Sequence, residues 1–429
     1  MDQLQEFKCP CCGGAISFNS QLQKMKCPYC DTEFELSTLT SYEEELNQSV
    51  EEPMKWDVSA GGEWKDGEAD HLRTYICKSC GGQIIGDEST AATACPFCDN
   101  PVVMLGQLSG ELKPDLVIPF QLDKEAAKQG LQNHYKGKVL LPKIFKDENH
   151  IEEIRGVYVP FWLFDADSHA HIRYKATKEK QWSDSNYYYK ETSYYSVTRI
   201  GDVSFAHVPV DGSQKMPDDL MESIEPYEYN GAVDFQTAYL AGYIADRYDV
   251  TAQQSIDRAN ERIRHSTESE FRKTVQGYNS VITDFSNIKL ENGAIRYALY
   301  PVWLLNTKWK EKQYTFAMNG QTGKMVGNLP MDKGRFTMWL MGSFFLSTIV
   351  MFLLSYLVTE TLGKAVMMGL VLGLIIALII AFSLKAQLKS VRMQYAASSY
   401  IKKIKINVRR DLFLYKKLEK KEKTQNQKK

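Results

Sequence analysis

Eight of the nine cysteines stand in four Cys-x-x-Cys pairs: Cys9/Cys12, Cys27/Cys30, Cys77/Cys80 and Cys95/Cys98. Such a turn presents two thiolates on one side of a tight loop. Two turns together complete a tetrahedral Zn2+ site, with each sulfur about 2.3 Å from the ion. Fourteen residues lie between the inner cysteines in both halves, and the whole pattern recurs after 68 residues. Cys12-Gly13-Gly14 matches Cys80-Gly81-Gly82, and Cys27-Pro28-Tyr29-Cys30 matches Cys95-Pro96-Phe97-Cys98. Glycine beyond the second cysteine lets the chain turn so that backbone amides face the sulfurs. The repeat sets Cys11 opposite Ser79 and so outside the ligand set. These spacings predict two structural zinc ions in two ribbons, residues 1–38 and 71–110. All ligands come from protein, which leaves no open coordination position for catalysis. A pair of redox dithiols would need a βαβ context that is absent. An iron–sulfur site matches this spacing less well.

Other chemistry is sparse. Gly320-Gln-Thr-Gly323-Lys324 lacks the spacing and the Ser/Thr of a phosphate-binding loop and falls in an expected hairpin. His169 and His171 flank Ala170 near Asp165 and Asp167. They read either as a metal site or, preferred here, as the polar face of a half-buried strand. The tyrosine-rich run 187–195 could stack bases, but it carries few basic residues and reads better as sheet packing. No catalytic motif stands out, and the expectation is a protein that is not an enzyme.

The elements expected around these residues are of three kinds. Residues 39–70 are acidic and glycine-containing and read as a flexible linker. Residues 111–331 read as a mixed α+β region. It has a helix at 123–136 with Asp123 at its N-cap and a hairpin over 157–164 and 169–175. Thr251-x-x-Gln254 forms a capping box ahead of a helix with Ile256, Ala259 and Ile263 on one face and Arg258, Glu261, Arg262 and Arg264 around them. Asn319-Gly320 is a two-residue turn signal. Pro160-Phe-Trp162-Leu163 and Pro301-Val-Trp303-Leu304 echo one another, which suggests a duplicated half-domain.

Residues 332–386 read as a transmembrane hairpin. The runs 336–358 and 365–384 carry no charge and are each long enough to cross about 30 Å of hydrocarbon. Lys333, Arg335, Lys385, Lys389 and Arg392 flank the pair on one side, so the positive-inside rule puts both termini in the cytoplasm at the inner membrane. An N-terminus without an apolar signal segment and the unpaired thiols fit that placement. Gly369 and Gly373 form a small-residue face for packing within the hairpin or between subunits. From Lys385 onward there are 15 Lys+Arg against 3 Asp+Glu, a net +12 that hides behind an overall −1. The tail 387–429 is therefore expected to meet anionic lipid, with nucleic acid as the second choice.

These ribbons, the segments AYLAGYIADRYDV (238–250), YPVWLLNTKW and YTFAMNGQTGKMVG (within 298–327) and the terminal hairpin resemble bacterial membrane proteins with TFIIB-type zinc ribbons. Members of that family are often labelled helicase-like. One bacillus-type member belongs to a membrane-stress complex with a PspA-type phage-shock protein and an SPFH-domain protein. The resemblance implies a membrane-anchored adaptor or scaffold for protein partners, with the eight paired cysteines as zinc ligands. The alternative is a tethered nucleic-acid-binding protein, and homo-oligomerisation stays open.

Overall fold

The computed structural model describes residues 7–46, 56–87, 94–107, 112–143, 154–358, 361–392 and 396–423, and every statement of absence below concerns those residues. Strands β1 (Ser17–Asn19), β2 (Lys24–Lys26) and β3 (Glu33–Phe34) form a small antiparallel sheet, and helix α1 (Leu36–Leu46) follows. The next strands are β4 (Trp56–Asp57), β5 (Leu72–Cys77), β6 (Gln83–Asp87), β7 (Val102–Gln107) and β8 (Leu116–Val117). Helix α2 (Lys124–Tyr135) leads to β9 (Arg155–Ser183) and β10 (Tyr187–Asp211). Helix α3 (Asp218–Ser223), β11 (Val233–Asp234), β12 (Ile244–Asp246) and helix α4 (Ala252–Lys273) come next. Strands β13 (Ser280–Trp309), β14 (Lys312–Asn319) and β15 (Met325–Val326) precede helices α5 (Lys333–Val358) and α6 (Leu362–Ala386). Strand β16 (Ile401–Glu422) ends the described chain. The strands β4 to β16 belong to one 13-stranded sheet, so the architecture is α+β around a large sheet.

The sheet is built on three very long strands. β9 has 29 residues and β13 has 30, which at about 3.3 Å per residue is a contour of roughly 95 Å. Residues 157–164 and 169–175, expected as two arms of a hairpin, lie in the single strand β9. The chain instead reverses at 184–186, where the Asp184 carboxylate accepts from the amides of Asn186 and Tyr187, both at 2.8 Å. Polar residues between the two apolar runs suggested a turn, yet alternation of period two continues through them. The Asn319-Gly320 turn is also longer than two residues. β14 and β15 are joined by residues 320–324, with Gly323 in the left-handed region at φ 79°.

Two strand–helix–hairpin units repeat within the sheet. The first is β8, α2, β9 and β10, and the second is β12, α4, β13 and β14. β8 pairs parallel with β13 of the other unit at Leu116↔Ala298 and Val117↔Leu299. β12 pairs parallel with β9 at Ile244↔Val157 and Ala245↔Tyr158. Where β9 and β13 pair antiparallel, Val159 sits opposite Tyr300, Pro160 opposite Leu299 and Tyr158 opposite Pro301. The echoed residues thus lie symmetrically about the Val159/Tyr300 pair. Both helices start from the expected caps. Asp123 accepts from the Ala126 amide, and Thr251 and Gln254 form a complete capping box.

Both faces of the sheet are buried. One carries Tyr158, Trp162, Phe164 and Ile172 against Ala259, Ile263 and Phe271 of α4. The other carries Val157, Val159, Phe161 and Leu163 against Cys77, Cys95, Met221 and Tyr227. Arg262, one of the charged residues expected around the apolar face of α4, is 1% exposed. Its guanidinium donates to both oxygens of Glu225 at 3.0 and 2.6 Å, which compensates two charges removed from water. The stretch 39–70 is not a free linker where it is described. α1 occupies its start, β4 pairs with β13, Trp56 packs edge-on against Phe164, and Trp64 against Phe235. Aromatic residues within an acidic stretch anchor it to the sheet.

Helices α5 and α6 are long and apolar enough to cross a membrane. They lie against each other along Ala365, Gly369, Gly373, Ala377 and Ala381, all buried. The small-residue face is therefore spent within the hairpin. The Ser347 hydroxyl donates to the Gly373 carbonyl at 2.8 Å, and that of Ser355 to Ala365 at 3.1 Å. Phe336 and Leu384 at the helix roots pack with Trp303 and Leu305, fixing the pair to one end of the sheet. Residues 359 and 360 of the connection 359–364 lie outside the described residues, as do those beyond 423. The segment 387–429, expected as a basic tail at the bilayer, contributes β16. That strand pairs with β10 from Phe205 to Tyr187, toward the end of the sheet opposite the helix roots. Isoleucine, valine and leucine at alternating positions gave this lysine-rich run strand character.

Candidate metal centres

Each Cys-x-x-Cys pair makes the same turn. The amide of Cys9 donates to Gly14 and that of Gly13 back to Cys9, both at 2.8 Å. Cys27 with Thr32 and Asp31, Cys77 with Gly82 and Gly81, and Cys95 with Asn100 and Asp99 repeat the pattern at 2.8–3.0 Å. Closing the turn requires a left-handed residue immediately after the second cysteine. Gly13, Asp31, Gly81 and Asp99 supply it at φ 74°, 56°, 73° and 62°. Glycine and aspartate are among the residues that tolerate this region best. The second glycine of each unit has a different reason. A Cβ at Gly14 would lie 2.5 Å from the Tyr29 ring, and one at Gly82 would lie 2.8 Å from the Phe97 ring. The aromatic residue of one turn caps the glycine of the other, which explains why both repeat together.

The turns bring Cys9, Cys12, Cys27 and Cys30 together, and likewise Cys77, Cys80, Cys95 and Cys98, with the four sulfurs of each group within 4.8 Å of one another. Cys9–Cys30 and Cys80–Cys95 are 3.6 Å apart, and Cys12–Cys27 and Cys77–Cys98 are 3.5 Å apart. Those separations are far beyond a disulfide bond of about 2.05 Å. They approach the roughly 3.8 Å edge of a tetrahedron with 2.3 Å metal–sulfur arms. The two groups therefore fit a tetrahedrally coordinated metal ion, and a four-thiolate donor set suits a soft or borderline metal.

Hydrogen bonds to sulfur surround both groups. The Thr32 hydroxyl lies 3.2 Å from Cys30 Sγ and holds that thiol down at about 6. At Cys98 burial works the other way, but the Asn100 side-chain amide at 3.4 Å and the Asn100 backbone bring the thiol to about 7. Burial pushes Cys9 and Cys95 well up. A cation at the centre is what would let all four act as thiolates. Thr32 and Asn100 stand two residues beyond the last cysteine of each unit, a signal that sequence reading passed over.

The two centres differ in support. The second is part of the body: β5 and β7 flank it, and Cys77 and Cys95 belong to the core on one face of the sheet. Lys215 donates to the Cys80 carbonyl at 2.7 Å, Arg155 to that of Cys95 at 2.9 Å and Asn306 to that of Pro96 at 2.5 Å. The expected small ribbon at 71–110 is thus merged into the large sheet. The first centre has its own three strands and touches the body through the Phe34 ring edge-on to Tyr415 and the Leu39 side of α1. Cys11 is exposed and outside the ligand group.

The remaining candidates separate. His169 Nδ1 meets Asp202 at 2.6 Å, whereas His171 is buried against Phe285. They join no metal-ligating group among the described residues. Tyr187, Tyr188 and Tyr189 lie at the hairpin end beside Trp182 and the Lys420 and Lys423 ammonium groups. One polar cluster was not foreseen. At the β10 bulge His207 is left-handed at φ 59°, its amide donates to Asp165 at 2.6 Å, and Arg296 reaches the same carboxylate at 2.7 Å. Its three members are far apart in sequence, so no local motif reveals it.

These features describe an α+β chain with two tetracysteine centres and a pair of membrane-length helices. No protein-family model matches it, and no solved structure matches it. Over 240 residues it is 38% identical to the uncharacterized protein YdjG of Bacillus subtilis (strain 168), which covers 56% of this chain and 70% of that protein. The chain belongs to the family of that protein.

Proposed function

We propose that this protein is a non-enzymatic scaffold, held in the membrane by α5 and α6, that recruits protein partners through a zinc-stabilised cytosolic body. The carrying observation is the root of the helix pair: Phe336 and Leu384 pack into the same cluster as Trp303 and Leu305, so the anchor and the sheet are one piece. Beyond that root the helices expose Leu346, Leu357 and Ile379 at 67%, 82% and 63%, which suits lipid rather than water. The cationic flanks Lys333, Arg335, Lys385 and Lys389 support a placement with both ends in the cytoplasm at the inner membrane. Zinc fits both tetrathiolate groups, and with four protein ligands each ion stabilises its module. The resemblance to TFIIB-type zinc-ribbon membrane proteins supports the same reading, including a place in a membrane-stress response.

The test is purification from native membranes in mild detergent, with metal analysis and identification of co-purifying proteins before and after nuclease. Expected are about two zinc ions per chain, resistance to carbonate extraction, and partners retained after nuclease. Recovery in the soluble fraction would overturn the anchor, and partners lost with nuclease would favour nucleic-acid binding. That second reading draws on the lysines of β16 beside exposed Trp182 and Tyr188.

A further inference from the structure

We propose that the outer edge of β16, with the cleft between it and the first metal module, receives an extended acidic peptide from a partner protein as an added strand. This rests on the scaffold reading and states where the partner docks. β16 runs for 22 residues and pairs with β10 alone among the described residues. Residues 401–422 contain no proline or glycine, so no residue of this run lacks a backbone amide for pairing. A long open edge is a template for a further strand.

The cleft marks where such a strand enters. It measures about 750 Å3, with Cys30, Thr32 and Glu33 on one wall and Phe413, Lys416 and Lys417 on the other. Strand β3, which forms the far wall, is itself the edge of its small sheet. Tyr194 and Tyr415, stacked at 4.4 Å, lie between the walls. Phe413 and Leu418 stand 45% and 57% exposed and offer apolar contact to alternate side chains of a guest.

Charge selects the occupant. Residues 401–423 hold ten Lys+Arg and three Asp+Glu. A second copy would set this cationic edge against itself, and like charges opposed across strands are destabilising. A nucleic acid would meet Asp31, Glu33 and Glu35 on the facing wall, which repel a continuous polyanion. An extended peptide alternates its side chains. It can turn carboxylates toward the lysines and apolar groups toward Phe413 and Leu418. Lysines that only protected the edge from aggregation would not need the facing cleft.

The test uses the full chain in nanodiscs of neutral lipid and a fluorescent nine-residue peptide alternating Glu and Val, read by anisotropy. Saturable binding is expected, at least tenfold weaker for the Lys-for-Glu peptide. It is also expected to be at least tenfold weaker for the Glu/Val peptide N-methylated at alternate residues, whose backbone cannot pair. The variant K416E/K417E/K421E should invert the preference between the acidic and basic peptides. Equal binding of the N-methylated peptide, measured on the unaltered protein, would reduce the effect to charge attraction and overturn the proposal. Tighter binding of a single-stranded oligonucleotide, or dimerisation lost in the triple variant, would overturn it as well. If the triple variant keeps every protein that co-purifies with the unaltered chain, the docking site is wrong while the scaffold reading stands. If neither retains any protein, the scaffold reading itself fails.

Discussion

Trp162 and Trp303 make the same hydrogen bond in opposite directions across the sheet. The Trp162 indole donates to the Val250 carbonyl at 2.8 Å, and that of Trp303 donates to Leu122 at 2.9 Å. Val250 precedes Thr251, the N-cap of α4, and Leu122 precedes Asp123, the N-cap of α2. Each tryptophan therefore ties its own long strand to the start of the other unit's helix, so the two repeated units hold each other closed. Trp303→Phe keeps an aromatic ring, smaller than the indole, and leaves the carbonyl unpaired, a loss of about 1–3 kcal/mol. Trp162→Phe should lose a similar amount. Thermal unfolding of the two variants in nanodiscs checks this, and an unchanged Tm in both would remove the tie from the account.

The metal centres should separate in their consequences. Cys95→Ser removes a ligand from a group built into the core, so it should lower metal content from about two ions to one and destabilise the whole sheet. Cys27→Ser should remove one ion as well while leaving the body's unfolding transition in place, because the first module has its own strands. Metal analysis with calorimetry distinguishes the two, and equal loss of stability would show that both modules are integral to the core.

Much of the site was legible because its constraints are local. Four cysteine pairs, Gly13 and Gly81 at the left-handed positions, and the Asp123 and Thr251 caps all act within a few residues. Long-range features were not legible. The join of 157–164 to 169–175 into one strand depends on partners in β10 and β13, and the lysine-rich β16 becomes a strand only because β10 offers an edge. Arg262 reads as a surface residue until Glu225 is placed beside it. The Pro-x-Trp-Leu echo was visible, but its meaning required the register that sets Val159 opposite Tyr300.

A half-buried carboxyl, Asp165, and a buried one, Asp246, should shape stability in opposite pH ranges. Asp165 lies at about 2: burial opposes its charge, but the His207 and Arg296 contacts outweigh it. Its contribution is present above the unfolded value near 4 and is lost as pH falls toward 2. Asp246 is 2% exposed, and burial with the nearby Asp249 charge holds it at about 8, despite hydrogen bonding to Ser213. A raised carboxyl favours the folded state below its unfolded value and loses that contribution as pH rises from about 4 through 8. Asp246→Asn should therefore raise stability at pH 8 by about 2–5 kcal/mol and do little at pH 4. Denaturation measured at both pH values checks it, and equal effects would place the charge elsewhere.

The two long apolar helices should be sensitive to added volume at one glycine and indifferent at another. A Cβ at Gly373 would lie 2.4 Å from the Thr348 hydroxyl oxygen and 2.7 Å from its Cα, so backbone would have to move. A Cβ at Gly342 would meet nothing within 4 Å. Gly373→Leu should therefore force α5 and α6 apart and break the bond from Ser347 to the Gly373 carbonyl. In the proposed lipid setting, where the surroundings are as apolar as the side chains, close backbone approach is what would hold such a pair together. Engineered cysteines at Ser355 and Ala365, in contact across the pair, would cross-link in the unaltered background and fail to do so with Gly373→Leu. Gly342→Leu should leave the cross-link intact. Retention of the bond in both variants would mean that the hairpin tolerates the leucine by rotating α6, and that Gly373 is not its point of closure.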